Sequence, residues 1–177
     1  ITLTDTTLAA ADLNTLNGLT TGVVNASSVT TLTGAYSALN TAYTANSAGT
    51  ISGLANEAIT LTDTTLAAAD LNTLNGLTTG VVNAGTVTIL TGAAADANTA
   101  YAANGSTISG LGDEAVTLTD TTLAASVLNT LNGNTSGVVN AGTVTTLTGA
   151  YSVLKTAYDA DTAGTISGLG EEAVTLS

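Results

Sequence analysis

Apolar and polar residues alternate through Ile1-Thr2-Leu3-Thr4-Asp5, and the β-branched content predicts a strand over Ile1–Asp5. Asp5, Thr6 and Thr7 then offer N-cap chemistry ahead of Leu8–Asn17. Within that stretch Ala9, Leu13 and Leu16 give a short helix one apolar face, and Asn17-Gly18 is a stop signal. A second strand is predicted at Val23–Ala26. Beyond it, Val29, Leu32, Tyr36, Leu39 and Tyr43 follow at spacings of 3, 4, 3 and 4, which predicts a helix over residues 28–45 capped by Ser27 or Ser28. Gly34 falls inside that helix, at a cost of ~1 kcal/mol relative to Ala. Ile51–Leu54 reads as a short strand or extended connector leading to Glu57-Ala58.

This pattern occurs three times. Residues 1–58, 59–115 and 116–173 are successive copies of 58, 57 and 58 residues, and 174–177 begin a fourth. Ile1–Ala26 recurs unchanged at Ile59–Ala84. Two departures bear on packing. Copy two carries Ala94 and Ala97 where copy one has Tyr36 and Leu39, which predicts a poorly packed layer, and copy three carries Val127 where the others have Asp12 and Asp70.

A strand-helix-strand-helix unit of this size cannot bury its own apolar faces, whereas stacked copies can. Strands joined through helices pair in parallel with right-handed connections. The expected fold is therefore α/β: a right-handed repeat solenoid with parallel strands and two strand–helix coils per ~58-residue repeat, averaging 29 residues per coil. The rival is a compact α/β domain of three pseudo-symmetric units. The expected core is Ile1, Leu3, Leu8, Leu13, Leu16, Val24, Val29, Leu32, Leu39 and Ile51 with their copies. Neither end reads as a cap, so end-to-end stacking on itself, or membership of a longer array, is the expected association.

Composition narrows the chemistry. The chain has no Cys, His, Met, Trp, Phe or Pro, and a single base, Lys155, against thirteen acids gives a net charge of −12. No thiol or imidazole is present for an ordinary zinc, haem or iron–sulfur site, or for a Ser–His or Cys–His dyad. One cation is too few for nucleic acid or an anionic bilayer. No apolar run has the length of a membrane helix. An enzyme is therefore not expected, and no catalytic residue or cofactor is assigned.

The motifs VTLTDTTLAASVLNTLNG (Val116–Gly133), VVNAGTVTTLTGAYSVLKTAY (Val138–Tyr158) and TISGLGEEAVTL (Thr165–Leu176) resemble tandem repeats in very large cell-surface proteins of marine picocyanobacteria. The resemblance covers the whole chain. It implies an extracellular adhesive or surface-coat role with an association with motility.

Three groups of residues are candidates for more than packing. Asp5, Asp63 and Asp120 recur after the first strand and read as caps of the helix that follows, with calcium ligation the alternative. The acidic connectors, containing Glu57, Asp113, Glu114, Glu171 and Glu172, are the better calcium candidates, since a Gly-rich acidic loop supplies oxygen ligands. Their bland reading is a solvated charged turn. The tyrosines read as core or interface residues with hydroxyls reaching the rim, rather than as a sugar-stacking platform.

Overall fold

The computed structural model describes all 177 residues. In chain order the elements of copy one are β1 (Thr7–Ala9), α1 (Ala10–Gly18), β2 (Val24–Asn25), β3 (Thr31–Gly34), α2 (Tyr36–Ser47) and β4 (Ile51–Ser52). Copy two follows with β5 (Ala58–Leu61), β6 (Thr65–Ala67), α3 (Ala68–Leu77), β7 (Val82–Asn83), β8 (Ile89–Gly92), α4 (Ala94–Ala103) and β9 (Ile108–Ser109). Copy three supplies β10 (Ala115–Leu118), β11 (Thr122–Ala124), α5 (Ala125–Asn134), β12 (Val139–Asn140), β13 (Thr146–Gly149), α6 (Tyr151–Ala163) and β14 (Ile166–Ser167), and β15 (Ala173–Leu176) ends the series. Every strand pairing is parallel. The fold is α/β, with parallel strands alternating with helices, an architecture compatible with a repeat solenoid. No helix is long and apolar enough to cross a membrane.

The chain forms two compact units that do not follow the copy boundaries. One comprises Ile1–Thr64, Asp70–Val87 and Ala103–Gly110; the other comprises Thr65–Ala69, Thr88–Ala102 and Leu111–Ser177. The first holds a five-stranded sheet ordered β1-β3-β5-β7-β9 and the pair β2-β4. The second holds a five-stranded sheet ordered β6-β8-β10-β12-β14 and the three-stranded β11-β13-β15. Read by sequence, each complete sheet is the same ladder: TLA, then TLTG or ILTG, then AITL or AVTL, then VN, then IS.

Register explains why sheets and copies are out of step. In the first unit the ladder steps by 24 residues (Thr7 to Thr31), 27 (Thr31 to Ala58), 23 (Ile59 to Val82) and 26 (Val82 to Ile108). These steps are shorter than the 29 residues that two equal coils per copy would require. Two steps fall several residues short of one copy, and the surplus carries the chain from β5 around the Thr62–Thr64 corner into β6, where a new sheet opens. Each copy thus extends one sheet and starts another.

One side of each ladder is aliphatic and dry. In the first unit Leu8, Leu32, Ile59, Val82 and Ile108 share one register, and the last four are 0–1% exposed. The same line in the second unit is Leu66, Leu90, Val116, Val139 and Ile166, all buried. The alternate side carries Thr33, Thr60, Asn83 and Ser109 in register, as a period of two requires.

Four expectations are corrected. The predicted helix over 28–45 is a turn, then β3, then α2 starting at Tyr36, because Val29 and Leu32 reach the core from the turn and strand rather than from a helix. Gly34 ends the strand at φ +150°, a backbone setting suited to glycine, and a Cβ there would sit 3.6 Å from that of Ala10. The predicted strand Ile1–Asp5 is reduced to a bridge from Thr2 to Asn25, and the first ladder begins instead at Thr7. Ile1, expected in the core, is 54% exposed, whereas its equivalents Ile59 and Val116, paired on both sides, are 1% exposed. Leu16 is half-buried, while Leu74 and Leu131 are fully buried. Ala94 and Ala97 are themselves buried, so the smaller residues of copy two still face the interior.

The buried line sets a stability expectation. Ile59→Ala should lower the unfolding free energy by ~2–5 kcal/mol through lost transfer energy plus a cavity. Thr65→Ala, at an exposed position, should stay within about 0.5 kcal/mol. Denaturant unfolding of the two variants against the parent checks both.

Candidate functional site

The chemistry-bearing side chains meet where one copy touches the next. In the first unit Glu57 is 0% exposed, although it belongs to an acidic connector. Its Oε2 accepts a 2.7 Å hydrogen bond from the Tyr43 hydroxyl, and its Oε1 accepts the Ala55 N–H at 2.7 Å. The Glu57 carbonyl in turn accepts the Thr78 hydroxyl at 2.7 Å, so α2, the connector and the loop after α3 are tied together. Thr78 also accepts the Gly80 N–H at 3.0 Å, which holds the loop in place.

Gly80 is glycine for reasons of distance. A Cβ there would lie 2.2 Å from the Glu57 carbonyl oxygen, closer than any real contact. The second unit repeats the arrangement. Glu114, also 0% exposed, accepts the Tyr101 hydroxyl at 2.8 Å and the Gly112 N–H at 2.9 Å. Its carbonyl accepts the Thr135 hydroxyl at 2.7 Å, and a Cβ on Gly137 would lie 2.3 Å from that same carbonyl. In copy three Tyr158 hydrogen-bonds Glu172, and Glu172 accepts the Gly170 N–H at 2.7 Å, but no threonine reaches it.

These contacts correct the solvated reading of the connectors. Glu57 and Glu114 are not solvated; burial of a carboxylate with no cation nearby is offset by hydroxyl and amide donors. Nor do the calcium candidates converge. Asp113 and Glu171 are exposed, the buried carboxylates are turned to the hydroxyls and to their own turns, and no group of three or more acidic side chains is placed to hold an ion. The sole base, Lys155, pairs with exposed Asp159 at 2.6 Å.

The recurring aspartates act at a distance. They do not cap the helix that follows them: α1 starts after Ala9, whose side chain supplies no cap. Instead Asp63 accepts the first amide of α2, Tyr36 N–H, at 2.7 Å, and Asp120 accepts that of α4, Ala94 N–H, at 2.8 Å. A carboxylate from one copy thus satisfies and charge-complements the helix start of the copy before it. Asp5 is exposed.

A third link was not anticipated from sequence. Burial first and the nearby Asp70 carboxylate second raise the pKa of the Tyr36 hydroxyl. At the corresponding positions of the next pair of copies stand Ala94 and Val127. The tyrosine and its acid are exchanged together for two apolar residues. Their joint departure, thirty-three or thirty-four residues apart in each case, was the visible signal.

No protein-family profile, curated protein or solved structure matches the chain.

Two predictions follow from the geometry of these contacts. Burial first, then the Glu57 carboxylate, pushes the Tyr43 hydroxyl pKa well up; burial does the same for Tyr101, with Glu114 adding and Thr135 opposing. Tyr158 is pushed up to about 12 by burial and Glu172. Below the unfolded value near 10 the hydroxyls are protonated in both states and their contribution is complete. Above it only the unfolded chain releases protons, so stability should fall from about pH 10 upward. Absorbance titration near 295 nm should show these tyrosines ionising late, with unfolding rather than before it.

Gly80→Ala should destabilise by ~1–3 kcal/mol, because backbone must shift to admit the methyl. Gly76→Ala, in α3 with open space around it, should be neutral or stabilising by up to ~1 kcal/mol. Thermal melts of the two single variants separate close approach from general glycine loss.

Proposed function

We propose that this chain is a structural repeat segment that acts by stacking and length, without a catalytic site, and that it belongs to an adhesive surface protein or filament outside the cell. The observation that carries the structural part is the use made of its reactive side chains. Thr78 and Asp63, and their equivalents Thr135 and Asp120, join one copy to the next, the threonines on glutamates that Tyr43 and Tyr101 hold in place within their own copies. The finer architecture under this reading is a right-handed solenoid in which each added copy brings the caps and hydroxyls that the previous copy lacks. The extracellular, adhesive part rests on the sequence resemblance and on the acidic composition. Partners are other copies, in a longer array or end to end; nucleic acid and membrane insertion are not part of the reading, and neither is a resident cofactor.

Adding copies tests it. Nearest-neighbour coupling predicts that appending a fourth copy identical to Val116–Ala173 raises the melting temperature while the transition stays cooperative. Millimolar Ca²⁺ should leave both melts unmoved, since an ion bound to the native state must stabilise it. A melt insensitive to copy number would remove the stacking reading, and a calcium-dependent rise would replace it with an ion-binding module.

A further inference from the structure

One inference deepens the adhesive part of that reading and rests on it. Each five-stranded sheet has an outer side opposite its dry one, and the residues there fall into two columns. The first is a column of donors. Thr33, Thr60, Asn83 and Ser109 stand on consecutive rungs of one sheet, and Thr91, Thr117, Asn140 and Ser167 on consecutive rungs of the other. The side-chain oxygens of Asn83 and Asn140 accept the Gly85 and Gly142 N–H groups at 2.9 Å, which leaves their NH2 groups as donors. The hydroxyls of Thr33, Thr60, Thr91 and Thr117 donate to no group of the chain. Threonines on the helices behave otherwise. Thr15, Thr99 and Thr130 donate to the carbonyls of Ala11, Ala95 and Ser126 at 2.9 Å, and Thr41 donates to that of Ser37 at 2.8 Å. Hydroxyls are used up on the helices and kept available on the sheets.

The second column is apolar. Two residues before the donors lie Ala58 and Val81 in the first sheet, and Ile89, Ala115 and Val138 in the second. Val81, Ile89 and Val138 are 42%, 37% and 44% exposed, whereas the next residues, Val82, Leu90 and Val139, are fully buried. A single exposed valine needs no explanation. These valines recur at one place of the repeat, each beside the alanine of the neighbouring rung, so they form a strip alongside the donors.

Neither column contains a charged residue, in a chain with thirteen acids. An anionic ligand is repelled by the net charge of −12, and a cationic one finds no carboxylate in the columns. The face fits a neutral molecule with C–H groups on one side, hydroxyls along its edge and a repeat near the rung spacing of about 4.8 Å. A pyranose ring has those two faces, and an extended β-1,4-linked chain advances by close to one rung per sugar. The columns are about 6.7 Å apart, twice the rise of a strand, which is room for one such chain. No aromatic side chain lies in either column, so one sugar is held weakly and affinity comes from many rungs engaged together. We infer that the outer face of each five-stranded sheet binds an uncharged, extended polysaccharide laid across the rungs. Its C–H faces rest on the alanine–valine column, and its hydroxyls accept from the threonine, asparagine and serine column.

The experiment is affinity electrophoresis of the 177-residue protein through gels containing hydroxyethylcellulose or carboxymethylcellulose, a neutral and an anionic polymer of one backbone. The neutral polymer should retard the protein, the anionic one should not, and free glucose should not compete. Replacing the four hydroxyls together, by Thr33→Val, Thr60→Val, Thr91→Val and Thr117→Val, should weaken retardation at least fivefold. The same four positions changed to Ser should keep it. Thr15→Val, Thr41→Val, Thr99→Val and Thr130→Val, on the helices, should leave it unchanged. Val81→Asp with Val138→Asp places charge on the apolar column at exposed positions, abolishes retardation, and covers the case in which the four valines do not fold. A parent chain that runs freely through the neutral gel overturns the inference. So does equal retardation by the anionic polymer, or retardation that survives the four valines in a variant that melts cooperatively. A chain that gains stability with added copies yet ignores the neutral polymer sinks this inference alone and leaves the stacking reading in place.

Discussion

A carboxylate buried without a cation is the constraint on which the rest of this structure depends. Glu57 and Glu114 lie wholly inside an acidic chain whose only base is elsewhere. Such a group is tolerated only where donors converge on it. The tyrosine of the same copy and the amides of its own turn supply them, and the next copy closes the site from outside by laying a threonine on the glutamate carbonyl. Packing alone would let coils slide along a uniform aliphatic line of Leu, Ile and Val. The hydroxyl, the carboxylate and the close-approach glycine permit one register, because each acts at a single distance.

Helix starts are held by the same economy. Neither α1 nor α2 has a side-chain cap of its own, and Ala9 and Ala35 stand at their entries. The first amide of α2 is satisfied by Asp63, which arrives with the following copy. Local structure in one copy is thus completed by its neighbour.

Much of this was legible in the sequence, for identifiable reasons. The threefold repeat, the parallel α/β character and most of the aliphatic core follow from period and pattern. The helical spacing overruns the true helix because Val29, Leu32, Leu39 and Tyr43 keep it while only the last two are helical; a turn and strand feeding a helix can imitate one amphipathic face. Repeat length alone does not give the coil, because part of each copy is the surplus that opens a new sheet, visible only in the register. The burial of the acidic connectors is not legible locally, because nothing in Asn56-Glu57 or Asp113-Glu114 indicates that a tyrosine thirteen or fourteen residues earlier points at the glutamate. The helix that Asp63 caps lies across the fold from it instead of next along the chain, so local cap patterns point to the wrong one.

The exchange of Tyr36 and Asp70 for Ala94 and Val127 has a consequence for how such an array changes length. Nearly identical copies invite recombination that drops or duplicates a whole unit, and the glutamate, threonine and aspartate links would survive any such event because every copy carries them. The tyrosine–aspartate link would not. Excising copy two would bring Tyr36 opposite Val127, leaving a hydroxyl facing a methyl group, while duplicating copy one would keep the original match. Each copy therefore carries joints common to all three and one position that distinguishes the neighbour it meets.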